Sequence, residues 1–252
     1  MTNYHPESYW SEVARRIKQR NGANVIAGDD EPFYRYKRNQ FLNLLHGVDF
    51  KGKSVLEIGC GPGGNLVEVF DHQPARLVGV DISQEMISIA KGNVDPSVEI
   101  IKVNGTSLPF KDGEFDIVFT ATVLQHNTDE AMLKQLMDEL CRVSGDRVYL
   151  FERIEKDIIG DELCYGRPVS YYEAICAKNG FRLESKSFIN IRVSYYVSGA
   201  LRKLLNPKTR KEGEPLTGIS YFLQQATLPV TRMLDKVFTS SKDVARLAFR
   251  RN

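Results

Sequence analysis

The feature that most constrains this chain is an apolar run that stops in a cluster of glycines. Val55-Leu56-Glu57-Ile58 reads as a buried strand, and Gly59-Cys60-Gly61-Pro62-Gly63-Gly64 follows it directly. Gly59, Gly61 and Gly64 have the spacing G-x-G-x-x-G. That spacing lets backbone turn sharply from strand to helix and approach a ligand with no Cβ in the way. Asp81 closes the next apolar run, Leu77-Val78-Gly79-Val80, at about the separation where an acceptor for a ribose diol belongs. A bare turn with Asp81 capping a helix is the simpler alternative. The agreement of turn, acid and strand context weighs against it.

The rest of the chain alternates strands with helices. Further strands are expected over 98–103, 115–119 and 147–151 and from Phe181 onward. Helices are expected over 8–20, 33–46, 63–70, 84–91, 128–140 and 170–179. Ser83 can cap the helix that begins at Gln84, and Asp129 and Glu130 sit in a first turn, where the helix dipole favours acids. Such alternation predicts an α/β, Rossmann-like fold with a parallel sheet and right-handed crossovers. Residues 195–238 read as mostly helical, broken or kinked at Pro229, and Val244–Arg250 as a short closing strand.

Composition narrows the setting. The net charge is +2, which makes no case for nucleic acid. The charge is uneven: from Arg192 onward twelve basic residues face four acids. Cys60, Cys141, Cys164 and Cys176 form no C-x-x-C pair, so neither zinc nor a disulfide framework is expected. His5, His46, His72 and His126 have no metal-ligand spacing, and no metal is predicted. The N-terminal stretch lacks a signal-peptide core and no apolar run approaches the ~20 residues of a membrane span. The expected location is cytoplasmic, with the membrane surface as an alternative.

Three features set the ligand apart from a dinucleotide. Glu57 precedes the turn and would repel a pyrophosphate, but not a ligand bearing an ammonium and a sulfonium. Asn104-Gly105-Thr106 follows the third strand, where an amide can read an adenine edge. The chain after the fifth strand lacks a second mononucleotide-binding half.

With these segments in place, Val55-Leu-Glu-Ile-Gly-Cys-Gly-Pro-Gly-Gly-Asn65, Val80-Asp-Ile-Ser83, Leu108-Pro-Phe110 and Phe115-Asp-Ile-Val118 resemble the successive motifs of class I S-adenosylmethionine-dependent methyltransferases. The likeness covers about residues 50–190 and is greatest to the branch with ubiquinone-biosynthesis, small-molecule and sugar methyltransferases. It implies a seven-stranded sheet of order 3-2-1-4-5-7-6 with strand 7 antiparallel. It also implies an N-terminal helical lid (1–48), a core (49–190), a helical cap insertion (191–242) and a final core strand (243–252). The cofactor would be S-adenosyl-L-methionine. Glu57, Gly59, Gly61, Gly63, Asp81, Ile82, Asn104, Gly105, Thr106 and Thr120 are the expected contacts. The family usually has Asp where this chain has Asn104.

Methyl transfer from a sulfonium requires an aligned acceptor, exclusion of water and, for some acceptors, removal of a proton. The fourth strand runs into Thr120-Ala-Thr-Val-Leu-Gln-His126-Asn127, and His126 is the expected base. Packing in its loop is the alternative role. Glu152, Arg153, Tyr165, Arg167, Tyr171 and Tyr172 are further acceptor-site candidates. Tyr9, Trp10, Tyr34 and Tyr36 could form a lid, with helix core favoured for Trp10. The insertion, with its apolar stripe and Lys203, Lys208, Arg210 and Lys211, reads as a cap, a membrane-surface element or a dimer contact. The expected reaction is methylation of a small-molecule, sugar or lipid-linked acceptor, oxygen being preferred over nitrogen. No Asn-Pro-Pro-Tyr-like motif follows the fourth strand, so a nucleic-acid acceptor is not expected. A nicotinamide-dependent oxidoreductase and a catalytically inactive binding protein of the same fold are the competing readings.

Overall fold

The computed structural model describes residues 5–19, 31–210 and 215–252. Parts of the expected N-terminal lid, and Lys211 of the expected basic run, lie outside the described residues. In chain order the strands are β1 (Ser54–Ile58), β2 (Arg76–Asp81), β3 (Glu99–Lys102), β4 (Phe115–Ala121), β5 (Ser144–Ile154), β6 (Ile159–Asp161), β7 (Cys164–Gly166), β8 (Phe181–Phe188) and β9 (Asp243–Arg251). The helices are α1 (Pro6–Gln19), α2 (Pro32–Leu45), α3 (Gly64–Phe70), α4 (Gln84–Asn93), α5 (Glu130–Val143), α6 (Val169–Lys178), α7 (Arg192–Leu205) and α8 (Gly218–Asp235).

Seven strands form one sheet in the order β3-β2-β1-β4-β5-β9-β8. The first five are parallel, and β9 runs antiparallel to both β5 and β8. Leaving the separate β6–β7 hairpin out of the count, this is the expected 3-2-1-4-5-7-6 order. β1 lies between β2 and β4 with both faces covered, so it buries apolar side chains on each side, Val55 on one and Leu56 and Ile58 on the other, with Glu57 the one buried acid among them. Alternation then sorts the core into two layers. Leu56, Ile58, Val78, Val80 and Val118 face α5 and α6, with Leu136, Leu140, Tyr172 and Ile175 opposite. Val55, Leu77, Ile117 and Phe119 face the other way, onto Phe41 and Leu45 of α2, Leu66 of α3 and Ile87 of α4.

Three local features differ from expectation. β5 is longer than predicted at both ends, because Ser144–Asp146 extend it along β4 past a bulge and Glu152–Ile154 extend it along β9. The β6–β7 hairpin was not legible, since Ile159, Gly160 and Asp161 are all exposed and carry no alternation. α8 continues through Pro229 as one helix, without the break that was one of the two expected outcomes there. Proline removes one backbone donor, and the turns on either side retain theirs.

α7 and α8 lie against each other and rest on α2. The Arg232 guanidinium lies 4.8 Å from the centroid of the Tyr36 ring, and Arg202 donates to the Tyr34 hydroxyl at 2.8 Å. The contact between the two helices is polar. Ser194 Oγ meets Thr231 Oγ1 at 2.9 Å, and Asp235 Oδ1 accepts from the backbone N–H groups of Val193 (2.6 Å) and Ser194 (3.2 Å).

Candidate functional site

The glycine turn after β1 follows from three backbone positions. Gly59, Gly61 and Gly63 have φ of +73°, +53° and +88°, the left-handed region that L side chains rarely adopt. Gly59 carries a second constraint, because a Cβ there would stand 2.3 Å from a methyl of Val123. Gly61 has nothing within 4 Å of the same position. The turn is held by the Val80 carbonyl, which accepts from Gly59 (2.8 Å) and Cys60 (2.9 Å).

Beside it, at the carboxyl ends of β1, β2 and β4, opens a cavity of about 350 Å³. This is the end of an open α/β sheet at which ligands bind. Its floor is Gly59, Gly61, Asn65, Asp81, Ile82 and Gly105; Thr122, Val123, Gln125 and His126 line the β4 side; Trp10, Val13, Tyr34, Arg38 and Phe41 of α1 and α2 cover it.

Asp81 is 7% exposed and already oriented. One carboxylate oxygen accepts from Gly61 N and the other from Ser83 N, each at 2.8 Å. Burial pushes its pKa up, and these backbone donors pull against that. A carboxylate has about four lone-pair sites, so these backbone donors leave capacity for a further one.

Glu57 is fully buried and does not line the cavity. Asn65 lies between them: its amide donates to Glu57 Oε1 at 2.6 Å, and its Oδ1 accepts from Arg38 at 2.5 Å. The other Glu57 oxygen has no hydrogen-bond partner among the described residues. Burial lifts the Glu57 carboxyl from 4.5 to about 8, against the opposing pulls of Asn65 and Arg38.

The loop after β4 is built on another buried acid. Glu152 of β5 accepts from the Thr120 hydroxyl (2.8 Å) and from the N–H groups of Val123 (3.0 Å) and Gln125 (3.1 Å). Arg167, also fully buried, donates to the carbonyls of Leu124 and Asn127, each at 3.0 Å. The loop thus holds His126 in one orientation. His126 Nδ1 is 2.9 Å from the Leu163 carbonyl, which can only accept, so this nitrogen carries the proton. Nε2 is 3.1 Å from Gln125 Nε2, and Gln125 Oε1 accepts from Arg153 N at 3.1 Å, which turns the amide NH2 toward the imidazole. The ring packs edge-on against Trp10, with centroids 5.0 Å apart.

His126, Gly59, Gly61, Asp81, Ile82 and Gly105 therefore converge on the cavity, while Glu57, Gly63, Asn104, Thr106 and Thr120 stand back from it. Asn104 folds onto its own loop. Its Oδ1 accepts from the N–H groups of Thr106 (3.0 Å) and Ser107 (2.9 Å), a turn that asparagine and aspartate make equally well. Thr120 is buried beneath the loop. Gly63 packs against Val94 and Ala90 of the α4 region. Of the acceptor-site candidates, Tyr165, Arg167, Tyr171 and Tyr172 do not line the cavity: Tyr165 and Tyr171 stack on the Arg167 guanidinium, and Tyr172 is buried in the core. Trp10 and Tyr34 line it, whereas Tyr9 and Tyr36 do not. Sequence reasoning missed Asn65, Lys37 and Arg38. Asn65 had the one available signal, its place directly after the glycine run. Among the described residues no three His, Cys, Asp or Glu gather as a metal site would require.

A β3-β2-β1-β4-β5 parallel core, a glycine turn open to a cavity, and a buried acid one strand away define the nucleoside-binding α/β fold of the class I methyltransferases. Residues 55–145, about a third of the chain, match the model of a methyltransferase domain. Norajmaline N-methyltransferase of Rauvolfia serpentina is 30% identical over 111 residues, 42% of this chain and 37% of that protein. Demethylmenaquinone methyltransferase of Bacillus licheniformis is 28% identical over 185 residues, 71% of this chain and 74% of that protein. The first three curated relatives are matched over only 33–40% of their own length. Two solved structures share the fold. The [4+2]-cyclase SpnF has a TM-score of 0.67 at 16% identity, over 97% of this chain and 95% of that one. Magnesium protoporphyrin IX methyltransferase of Synechocystis PCC 6803, solved with S-adenosylmethionine bound, has a TM-score of 0.62 at 13% identity over the full length of both chains.

Proposed function

We propose that this chain binds S-adenosyl-L-methionine in the cavity beside Gly61 and transfers its methyl group to a small-molecule, sugar or lipid-linked acceptor. The observation that carries the reading is the pairing of an unobstructed Gly61 with a pre-oriented, buried Asp81. The residues fit the group. Asp81 would accept from the ribose hydroxyls, and Gly59 and Gly61 would let the methionine portion approach backbone, with Gly63 keeping the turn in shape. Ile82, Gly105, Thr106 and the Asn104 loop would border the adenine. Glu57 would act through Asn65, drawing the amide and Arg38 into line. When bound, the cofactor supplies an electrophilic methyl on a positive sulfur.

The chain's own part in the transfer is positioning, dehydration and proton removal. Trp10, Val13, Tyr34 and Phe41 cover the cavity and exclude water. His126 carries its proton on Nδ1, so Nε2 is its basic nitrogen, and an acceptor would displace the Gln125 amide that donates to it. A neutral imidazole can take a proton from a hydroxyl or an ammonium, and we prefer an oxygen acceptor. A cytoplasmic location, and contact with a membrane surface through 191–242, are part of the same reading. No described helix is long and apolar enough to cross a membrane.

Titration calorimetry with S-adenosylmethionine, S-adenosylhomocysteine and NAD tests the binding step, and transfer of radiolabelled methyl into a cell extract tests the chemistry. Heat with NAD and none with the sulfur nucleosides would overturn the proposal. The likeness to a cyclase favours one second reading, a chain that holds the nucleoside while its cavity serves a different reaction. Tight nucleoside binding with no transfer to any extract component would favour it.

A further inference from the structure

The α7–α8 hairpin is inside out for a pair of helices in water. Its buried residues are polar: Ser194, Ser198, Ser220, Gln224, Thr231 and Asp235. Its outward residues are large and apolar. Along α8 and the residue pair beyond it, Ile219, Phe222, Val230, Met233 and Val237 recur at helical spacing, and Phe222, Met233 and Val237 are 66%, 70% and 72% exposed. At 100° per residue these positions fall on one stripe, roughly opposite the buried serine and threonine face. Tyr195, Tyr196 and Leu204 of α7 add to the exposed apolar area. An apolar surface this continuous on a folded chain marks a contact with something else.

Charge decides what that is. Residues 192–238 hold eight basic residues against three acids. Within α7 and α8 themselves the one acid is Asp235, and it is buried between them. Lys203, Lys208 and Lys236 are exposed on or next to the two helices, and Arg232, also exposed, packs its guanidinium over Tyr36. A second copy of the same face would bring these cations against their like. An anionic lipid surface would meet them with the opposite charge while taking up the apolar stripe.

We propose that the α7–α8 hairpin is a peripheral docking surface for anionic lipid bilayers. Phe222, Val230, Met233 and Val237 enter the boundary between headgroups and acyl chains, and the flanking lysines and arginines meet lipid phosphates. The hairpin rests on α2, whose Tyr34, Arg38 and Phe41 wall the cavity, so docking brings the cavity's cover to the lipid surface.

Sedimentation of the full chain with vesicles tests this. One set is phosphatidylcholine alone and the other contains about a third phosphatidylglycerol. Binding to the anionic set at low salt, weakened by about tenfold or more at 0.5 M salt, is the expected result. The double variant Phe222→Glu, Met233→Glu removes exposed side chains only, so it keeps the wild-type circular dichroism and loses vesicle binding by about a hundredfold. No sedimentation with anionic vesicles at low salt overturns the proposal. So does a concentration-dependent dimer in ultracentrifugation that the same double variant abolishes. Both measurements are made without cofactor, so their failure leaves the methyl-transfer reading untouched.

Discussion

Glu57→Gln isolates the energetics of the buried carboxyl at the end of β1. Burial raises this group from 4.5 to about 8, so between those values the folded chain keeps a proton that the unfolded chain releases. The unfolded state then binds fewer protons, and stability falls as pH rises through the window. The loss begins near 4.5 and is complete above about 8. At about 1.36 kcal/mol per pH unit this amounts to on the order of 5 kcal/mol. Glutamine preserves the shape, and its carbonyl oxygen can still accept from Asn65, but it has nothing to titrate. Urea unfolding at pH 5 and pH 8.5 checks the prediction. The wild type should lose several kcal/mol more than Glu57→Gln between the two, and the variant should be the more stable chain at pH 8.5. Parallel pH dependences in the two proteins would refute a high Glu57 pKa. The orphan oxygen of Glu57 would then be a carboxylate tolerated by the nearby Arg38.

Three other substitutions have defined outcomes. His126→Ala should leave affinity for S-adenosylhomocysteine within about twofold in calorimetry and lower turnover by about 10²-fold or more once an acceptor is known; near-normal turnover would remove His126 from proton transfer. Gly59→Ala combines a left-handed φ with a Cβ 2.3 Å from Val123, and should cost roughly 2–4 kcal/mol in thermal unfolding. Adding Val123→Ala should restore the steric part and leave the backbone part. Asp81→Asn should weaken nucleoside binding by about tenfold, because one amide NH2 would face the Gly61 or Ser83 donor; unchanged affinity would exclude Asp81 as the ribose acceptor.

Much of the fold was legible because its signals are local. The alternation of buried strands with helices, the left-handed glycines and the Ser83 cap each depend on a few neighbouring residues, and the sheet order followed from the resemblance those residues carry. The site was legible where one residue type has one job, as at Asp81 and Gly61. It was not legible where a side chain answers a distant partner. Thr120 looked like a cofactor contact and Arg167 like an acceptor contact, yet they serve Glu152 and the carbonyls under His126. The α8 stripe had a clear helical period, but periodicity gives a face and not its direction. Only contact with α2 and α7 shows that the apolar side points outward.

The sheet's penultimate strand is also late in the chain. β9 separates β5 from β8, and its first residue comes 55 positions after the last of β8. During synthesis β8 therefore has no neighbour to pair with until the helical hairpin has been made and the following segment has emerged. Half-made chains carry an unsealed seam beside β5, with its backbone donors and acceptors bare. Expression yield should thus depend on how quickly this stretch is translated, and on chaperones that shield the seam meanwhile.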